Sequence, residues 1–85
     1  MISKDVTVNL PADSEARPVA VLVQLASKYE SKIHILVQNK RINAKSIMGM
    51  MSLDFSQGDK LVIEAEGADA EAAVEEIANY VESRA

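Results

Sequence analysis

Strand-like alternation and helical spacing take turns along the chain. Ile2, Val6, Val8 and Leu10 alternate with Ser3, Asp5, Thr7 and Asn9, interrupted only by Lys4. A period of two puts successive side chains on opposite faces, so this segment predicts a strand with one wet face, ended by Pro11. Ala16, Val19, Ala20, Val23 and Ala26 then recur at helical spacing, with Leu22 widening the stripe, which predicts a helix over 16–28. Pro18 falls in its first turn, where a missing N–H costs little. Ile33, Ile35 and Val37 alternate again and run into "QN" and "KRIN". Asn tolerates a left-handed backbone, so a hairpin turns near Gln38-Asn39. "SIMGMMS" predicts one or two helical turns capped by Ser46, with Gly49 weakening them. "SQGD" is a turn, and "KLVIEAE" is a strand with Leu61, Ile63 and Ala65 on one face. After Gly67, Asp69 is placed to cap a last helix whose stripe is Ala70, Ala73, Val74, Ile77 and Val81.

The element order β-α-β-β-α-β-α, with strands that mostly alternate, predicts an α+β open-faced sandwich with all helices on one side of the sheet. Periodicity leaves the strand order open. At 85 residues the chain reads as one domain, 1–85, with no internal repeat or linker.

Composition narrows the chemistry. The chain is 48% hydrophobic but only 4% aromatic, so its core is built from Val, Ile, Leu, Ala and Met. A net charge of −4 argues against direct binding to nucleic acid or an anionic membrane. Nine of the thirteen Asp and Glu lie between Asp54 and Glu82, so the nearly balanced first half is where an anionic or mixed-charge partner docks. The acids of the last helix, Glu71, Glu75, Glu76 and Glu82, read as a solvated face. The absence of cysteine removes disulfides, thiolate catalysis and Cys-ligated metals. No apolar run reaches membrane-spanning length and the N-terminus has no signal-peptide core, so the expectation is a cytoplasmic protein.

Three places could carry chemistry. His34, the single histidine, lies opposite Ile33, Ile35 and Val37 on the wet face, with no acid or cysteine cluster to make it a metal ligand or base. Glu15 and Arg17 stand where the first helix begins. An acid there is ordinary helix chemistry, worth about 0.3–1 kcal/mol through the dipole. The same corner also offers free N–H groups and a guanidinium to an anion. Ser46 with Met48, Met50 and Met51 is either a cap followed by core methionines or a modifiable serine beside an adaptable apolar surface. A six-residue helix cannot bury Ile47, Met48, Met50 and Met51 on one face, so some of that surface should be exposed.

"ARP" opening the first helix, "LVQLASKYES" and above all "NAKSIMGMMSL" together resemble the two signatures of the HPr family, the small phosphocarriers of the bacterial sugar phosphotransferase system. The resemblance runs over essentially the full length. It implies four antiparallel strands in the order 1-4-2-3 with three helices on one face. In that family a histidine precedes "ARP", takes phosphate from a phosphoenolpyruvate-dependent enzyme and passes it to sugar transporters. Here the position is Glu15, already anionic and a weaker nucleophile. Asp13 and Ser14 also replace the family's glycine and apolar residue, adding charge and removing backbone freedom.

A lost carrier histidine beside a retained serine motif is similar to Crh, the HPr-like catabolite repression branch, where glutamine replaces the histidine. The resemblance implies that a bifunctional serine kinase/phosphorylase modifies Ser46, and that the product is co-repressor for a LacI-type catabolite control protein. Arg17, Ala20, Val21, Gln24, Ile47, Met48, Met51 and Ser52 would surround the docking surface. No cofactor, metal or enzymatic activity is implied. Two other readings stay open: a phosphotransfer component in which Glu15 replaces a native histidine or carries an acyl phosphate, and an HPr-like domain with an unrelated partner. Finally, "PADSEARP" joins the first strand to the rest with proline near each end and no glycine. A stiff hinge of this kind can relieve its strain by strand exchange between copies, as the Crh resemblance also implies, while a loop that closes locally without strain leaves a plain monomer; both readings stay open.

Overall fold

The alternating segments become one antiparallel sheet. A computed structural model describes residues 1–9, 18–52 and 58–82. Strands β1 (Ile2–Thr7), β2 (Lys32–Val37), β3 (Lys40–Asn43) and β4 (Lys60–Glu66) lie in the order β1-β4-β2-β3. Helices α1 (Pro18–Ser27), α2 (Ile47–Met51) and α3 (Ala70–Val81) pack on one side of it. The order 1-4-2-3 and the three-helix layer agree with the expected architecture.

Each strand buries alternate residues. Val6 of β1, Ile33, Ile35 and Val37 of β2, and Leu61, Ile63 and Ala65 of β4 face the helices. α3 closes over them with Ala70, Ala73, Val74, Ile77, Ala78 and Val81, which is the expected stripe plus Ala78. β1 stops at Thr7, yet Val8 continues inward: its N–H donates to the Asp59 carbonyl (2.8 Å) and its carbonyl accepts from the Gly58 N–H (2.9 Å). Ile2 is 37% exposed, since an edge strand has a neighbour on one side only.

Two details depart from the sequence reading. In α1 the buried seam is Leu22, Val23 and Ala26, with Val19 and Leu25 packed against it, while Ala20 is exposed. One residue advances a helix by about 100°, so a seam centred near Val19 and Ala26 turns Ala20 away from the core. Asp69 makes no side-chain cap for α3. Its carboxylate instead accepts the Glu30 N–H (2.9 Å), the Ser31 N–H (3.0 Å) and the Ser31 hydroxyl, pinning the entry of β2 to the exit of β4. The Ser31 hydroxyl, then the Glu30 amide, holds the Asp69 carboxyl below its ordinary range. Gly67 lies against that clamp at φ 150°, where an added Cβ would come within 2.5 Å of Ser31 Oγ.

The β2–β3 hairpin turns where expected. Gln38 (φ 49°) and Asn39 (φ 68°) are both left-handed, the pattern of a two-residue type I′ turn, whose twist matches that of the strands it joins.

Candidate functional site

The end of β3 is built to present Ser46. Asn43 accepts twice: its side chain takes the Lys45 N–H (2.9 Å) and its carbonyl takes the Ser46 N–H (3.1 Å). This Asx-type turn ends the strand and redirects the chain. Ser46 then adopts an extended backbone (φ −95°, ψ 111°), accepts the Gly49 N–H on Oγ (3.1 Å) and accepts the Met50 N–H on its carbonyl (2.8 Å). These are the bonds of an N-cap, as the sequence predicts. At the other end the Ser52 hydroxyl donates to the Gly49 carbonyl (2.6 Å). The two serines of the motif thus differ: Ser46 Oγ is an acceptor at the helix start, and Ser52 Oγ is a donor at its end.

Gly49 does more than weaken α2. A Cβ there would sit 3.2 Å from Ile42 and 3.3 Å from Ser46 Oγ, so glycine lets the helix lie close on β3 without crowding the serine. α2 packs against α1 and β3. That contact buries Met50 completely and leaves Ile47 (62%), Met48 (86%) and Met51 (65%) exposed. The choice between core and surface methionines therefore divides residue by residue. On α1, Ala20 and Gln24 are exposed and Val21 is half-buried, and Ser52 is exposed on α2's flank. Glu15 and Arg17 lie outside the described residues, as do Leu10, Pro11, Asp13, Ser14 and Ala16.

Behind this surface is a polar brace that the sequence reading missed. The Lys45 ammonium donates to the Tyr29 carbonyl at the end of α1, where a cation complements the helix dipole. The Tyr29 hydroxyl donates to Glu76 of α3, and Lys28 pairs with the same carboxylate at 2.8 Å. Donation to Glu76, then burial, then the Glu76 charge push the Tyr29 phenol up to about 12. Lys28, then Tyr29, hold Glu76 below the usual carboxylate range. Asn two residues before Lys45 is a readable turn signal; the Lys45–Tyr29 and Tyr29–Glu76 contacts join segments distant in sequence and leave no local mark.

His34 lies elsewhere, half-buried on the sheet face away from the helices, paired in register with Glu64 and Asn43. Among the described residues no group of His, Asp and Glu is arranged to hold a metal ion, and no helix is long and apolar enough to cross a membrane.

Residues 2–83 match the family model described as PTS HPr component phosphorylation site. The chain is 40% identical over 82 residues to the HPr-like protein Crh of Bacillus subtilis, covering 96% of each. A crystal structure of a phosphocarrier protein HPr from Bacillus anthracis superposes with a TM-score of 0.85 at 45% identity, covering 94% of this chain and 95% of that one. Crystalline Crh of B. subtilis, described as a dimer with a swapping domain, superposes with a TM-score of 0.75 at 39% identity, covering 100% and 98%.

Proposed function

The chain belongs to the PTS HPr family, and from that premise we propose that it is a regulatory member, phosphorylated on Ser46 and not a carrier of phosphohistidine. A serine kinase/phosphorylase is the modifying partner. The phosphorylated form is co-repressor for a LacI-type catabolite control protein in the cytoplasm. The observation that supports this most is the arrangement at α2: a serine at the N-cap, with Ile47, Met48 and Met51 exposed beside it. Phosphorylation adds about −1.5 to −2 charge there. The first amides of a helix have no intrahelical acceptor and favour that charge. A basic group on the partner reads the phosphate, while the exposed methionines, with Ala20, Val21, Gln24 and Ser52, supply apolar and adaptable contact. Arg17 completes this surface. Glu15 and Arg17 form the degenerate carrier site, and the sole histidine, His34, belongs to the opposite face of the sheet.

The 45% identity to a phosphocarrier favours a second reading, that the chain serves phosphotransfer. Glu15 weighs against it, because a carboxylate replaces the ring nitrogen that attacks phosphorus. One experiment separates the two. The protein is incubated with the serine kinase and ATP, and separately with the phosphoenolpyruvate-dependent enzyme, and each product is weighed and mapped. A single phosphate on Ser46 in the first, lost in Ser46→Ala, and no adduct in the second is the expected outcome. A stoichiometric acid-labile adduct in the second overturns the regulatory reading.

A further inference from the structure

On the sheet face away from the helices, the cross-strand register sorts charge by half. One row runs Ser3, Glu64, His34, Asn43 across β1-β4-β2-β3, and the next runs Asp5, Val62, Leu36, Arg41. On the other side of the first row, Glu66 pairs with Lys32. The β1/β4 half thus carries Asp5, Glu64 and Glu66, while the β2/β3 half carries Lys32, His34 and Arg41. Consider a two-fold axis parallel to the strands, between β4 and β2. It exchanges the halves and leaves each row in place. A second copy laid face down about that axis sets its Asp5 over Arg41, its Glu64 over His34 and its Glu66 over Lys32. The half-buried Val62 and Leu36 meet at the centre. Self-complementarity of one patch is the requirement for a closed two-fold dimer. We infer that this face docks a second copy of the chain, sheet against sheet, as an isologous dimer.

The geometry tolerates the twist of real sheets. Packed sheets lie about 10 Å apart and cross at about 30°. Asp5 and Arg41 stand about 7 Å from the axis, so the crossing displaces them by about 4 Å along the strand, within an arginine's reach. Within one chain the same two residues are three strand spacings apart, about 14 Å, and cannot pair. Arg41 does reach its own Glu64 (Nε–Oε1 3.3 Å), yet its side chain stays 56% exposed and keeps N–H groups to share. Besides Met1 with its N-terminal amine, which lines this face, the acidic half of the face carries one lysine among the described residues, Lys60. The β2–β4 ladder ends at Leu36 and Val62, so no β2 residue pairs with it. The apolar centre is small, which makes the dimer weak, fast and salt-sensitive. α2 lies on the helix side, so the dimer needs neither Ser46 nor its phosphate, and either reading can fail without the other.

Sedimentation velocity up to about 1 mM protein, at low and high ionic strength, with an amide-shift dilution series, tests this. The expected result is concentration-dependent dimerisation that weakens about tenfold with added salt, with shifts on residues of the two register rows. Asp5→Arg, at an exposed position of the edge strand, weakens association at least about tenfold, as does Arg41→Asp; the double variant restores it, since both reciprocal contacts return. A wild-type protein that stays monomeric at the top concentration in low salt overturns the inference. So does a fast-exchanging dimer that ignores Asp5→Arg or maps to Met48 and Met51.

Discussion

Single carboxylates in this protein hold segments that are far apart in sequence, and their titration should expose it. Tyr29 has its phenol pushed up to about 12 by Glu76, so the folded state favours the neutral ring. The folded value exceeds the unfolded one, so the contribution is complete below about pH 10 and fades as pH rises toward 12. Glu76→Gln should bring the Tyr29 transition back toward the ordinary range, read as tyrosinate absorbance. Tyr80, raised by burial alone, should be unmoved and serves as the internal reference. Asp69 has the opposite sign. Its folded pKa is lowered, chiefly by the Ser31 hydroxyl, so its contribution is present above the ordinary carboxylate range and lost as pH falls through the folded value. Wild type should therefore lose stability below about pH 4, and Asp69→Asn should lower the melting temperature at neutral pH while flattening that acid dependence. An unchanged acid limb in the variant would place the acid-sensitive group elsewhere.

At the scale of elements, α2 divides its methionines by face, and the division is measurable. Met50 is fully buried, whereas Met48 is 86% exposed. Met50→Ala opens a cavity and should cost about 2–5 kcal/mol, a large share of a small domain's stability. Met48→Ala should change stability by about 0.5 kcal/mol or less and leave Ser46 phosphorylation intact. It should instead weaken binding of the phosphorylated protein to its partner by roughly tenfold or less, because only part of a methionine's burial of about 1.5–3 kcal/mol is lost. Denaturant melts and a binding titration on the same two variants check both halves. Equal stability losses would mean that the helix turns differently than described.

The whole molecule has β1 at one edge of the sheet, held to β4 by pairs running from Ile2 and Ala65 to Thr7 and Lys60. An edge strand can leave without disturbing the order of the rest. With the glycine-free hinge "PADSEARP" before α1, this supports a strand-swapped dimer, as described for crystalline Crh. Size-exclusion chromatography after long incubation at high concentration should resolve a second species that exchanges slowly, since the β1–β4 ladder must break first. Asp13→Gly should relax the hinge and move the population toward monomer. A lone monomer peak that never changes ends the idea.

What the sequence determined by itself was local. Alternation gave β1, β2 and β4, because a half-buried strand must alternate, and the turn at Gln38-Asn39 gave β3 as the partner of β2. Helical spacing gave α1 and α3, because one face of each is buried. Gln38-Asn39 announced a left-handed turn, and Ser46 announced its cap through the hydroxyl that takes the Gly49 amide. Only the tertiary structure decided what depends on distant neighbours. Five residues of α2 are too few for a period to say that Met50 is core and Met48 surface; the contact with α1 and β3 decides it. Asp69 could cap α3 or bind the Ser31 segment, and the close approach of Gly67 to Ser31 brings the second set of donors within reach. Periodicity fixes which face of each strand is wet, but not which strands are neighbours. That order entered the sequence reading only through the family resemblance; the pairing of strands distant in the chain realises it and places Asp5, Val62, Leu36 and Arg41 in a single row.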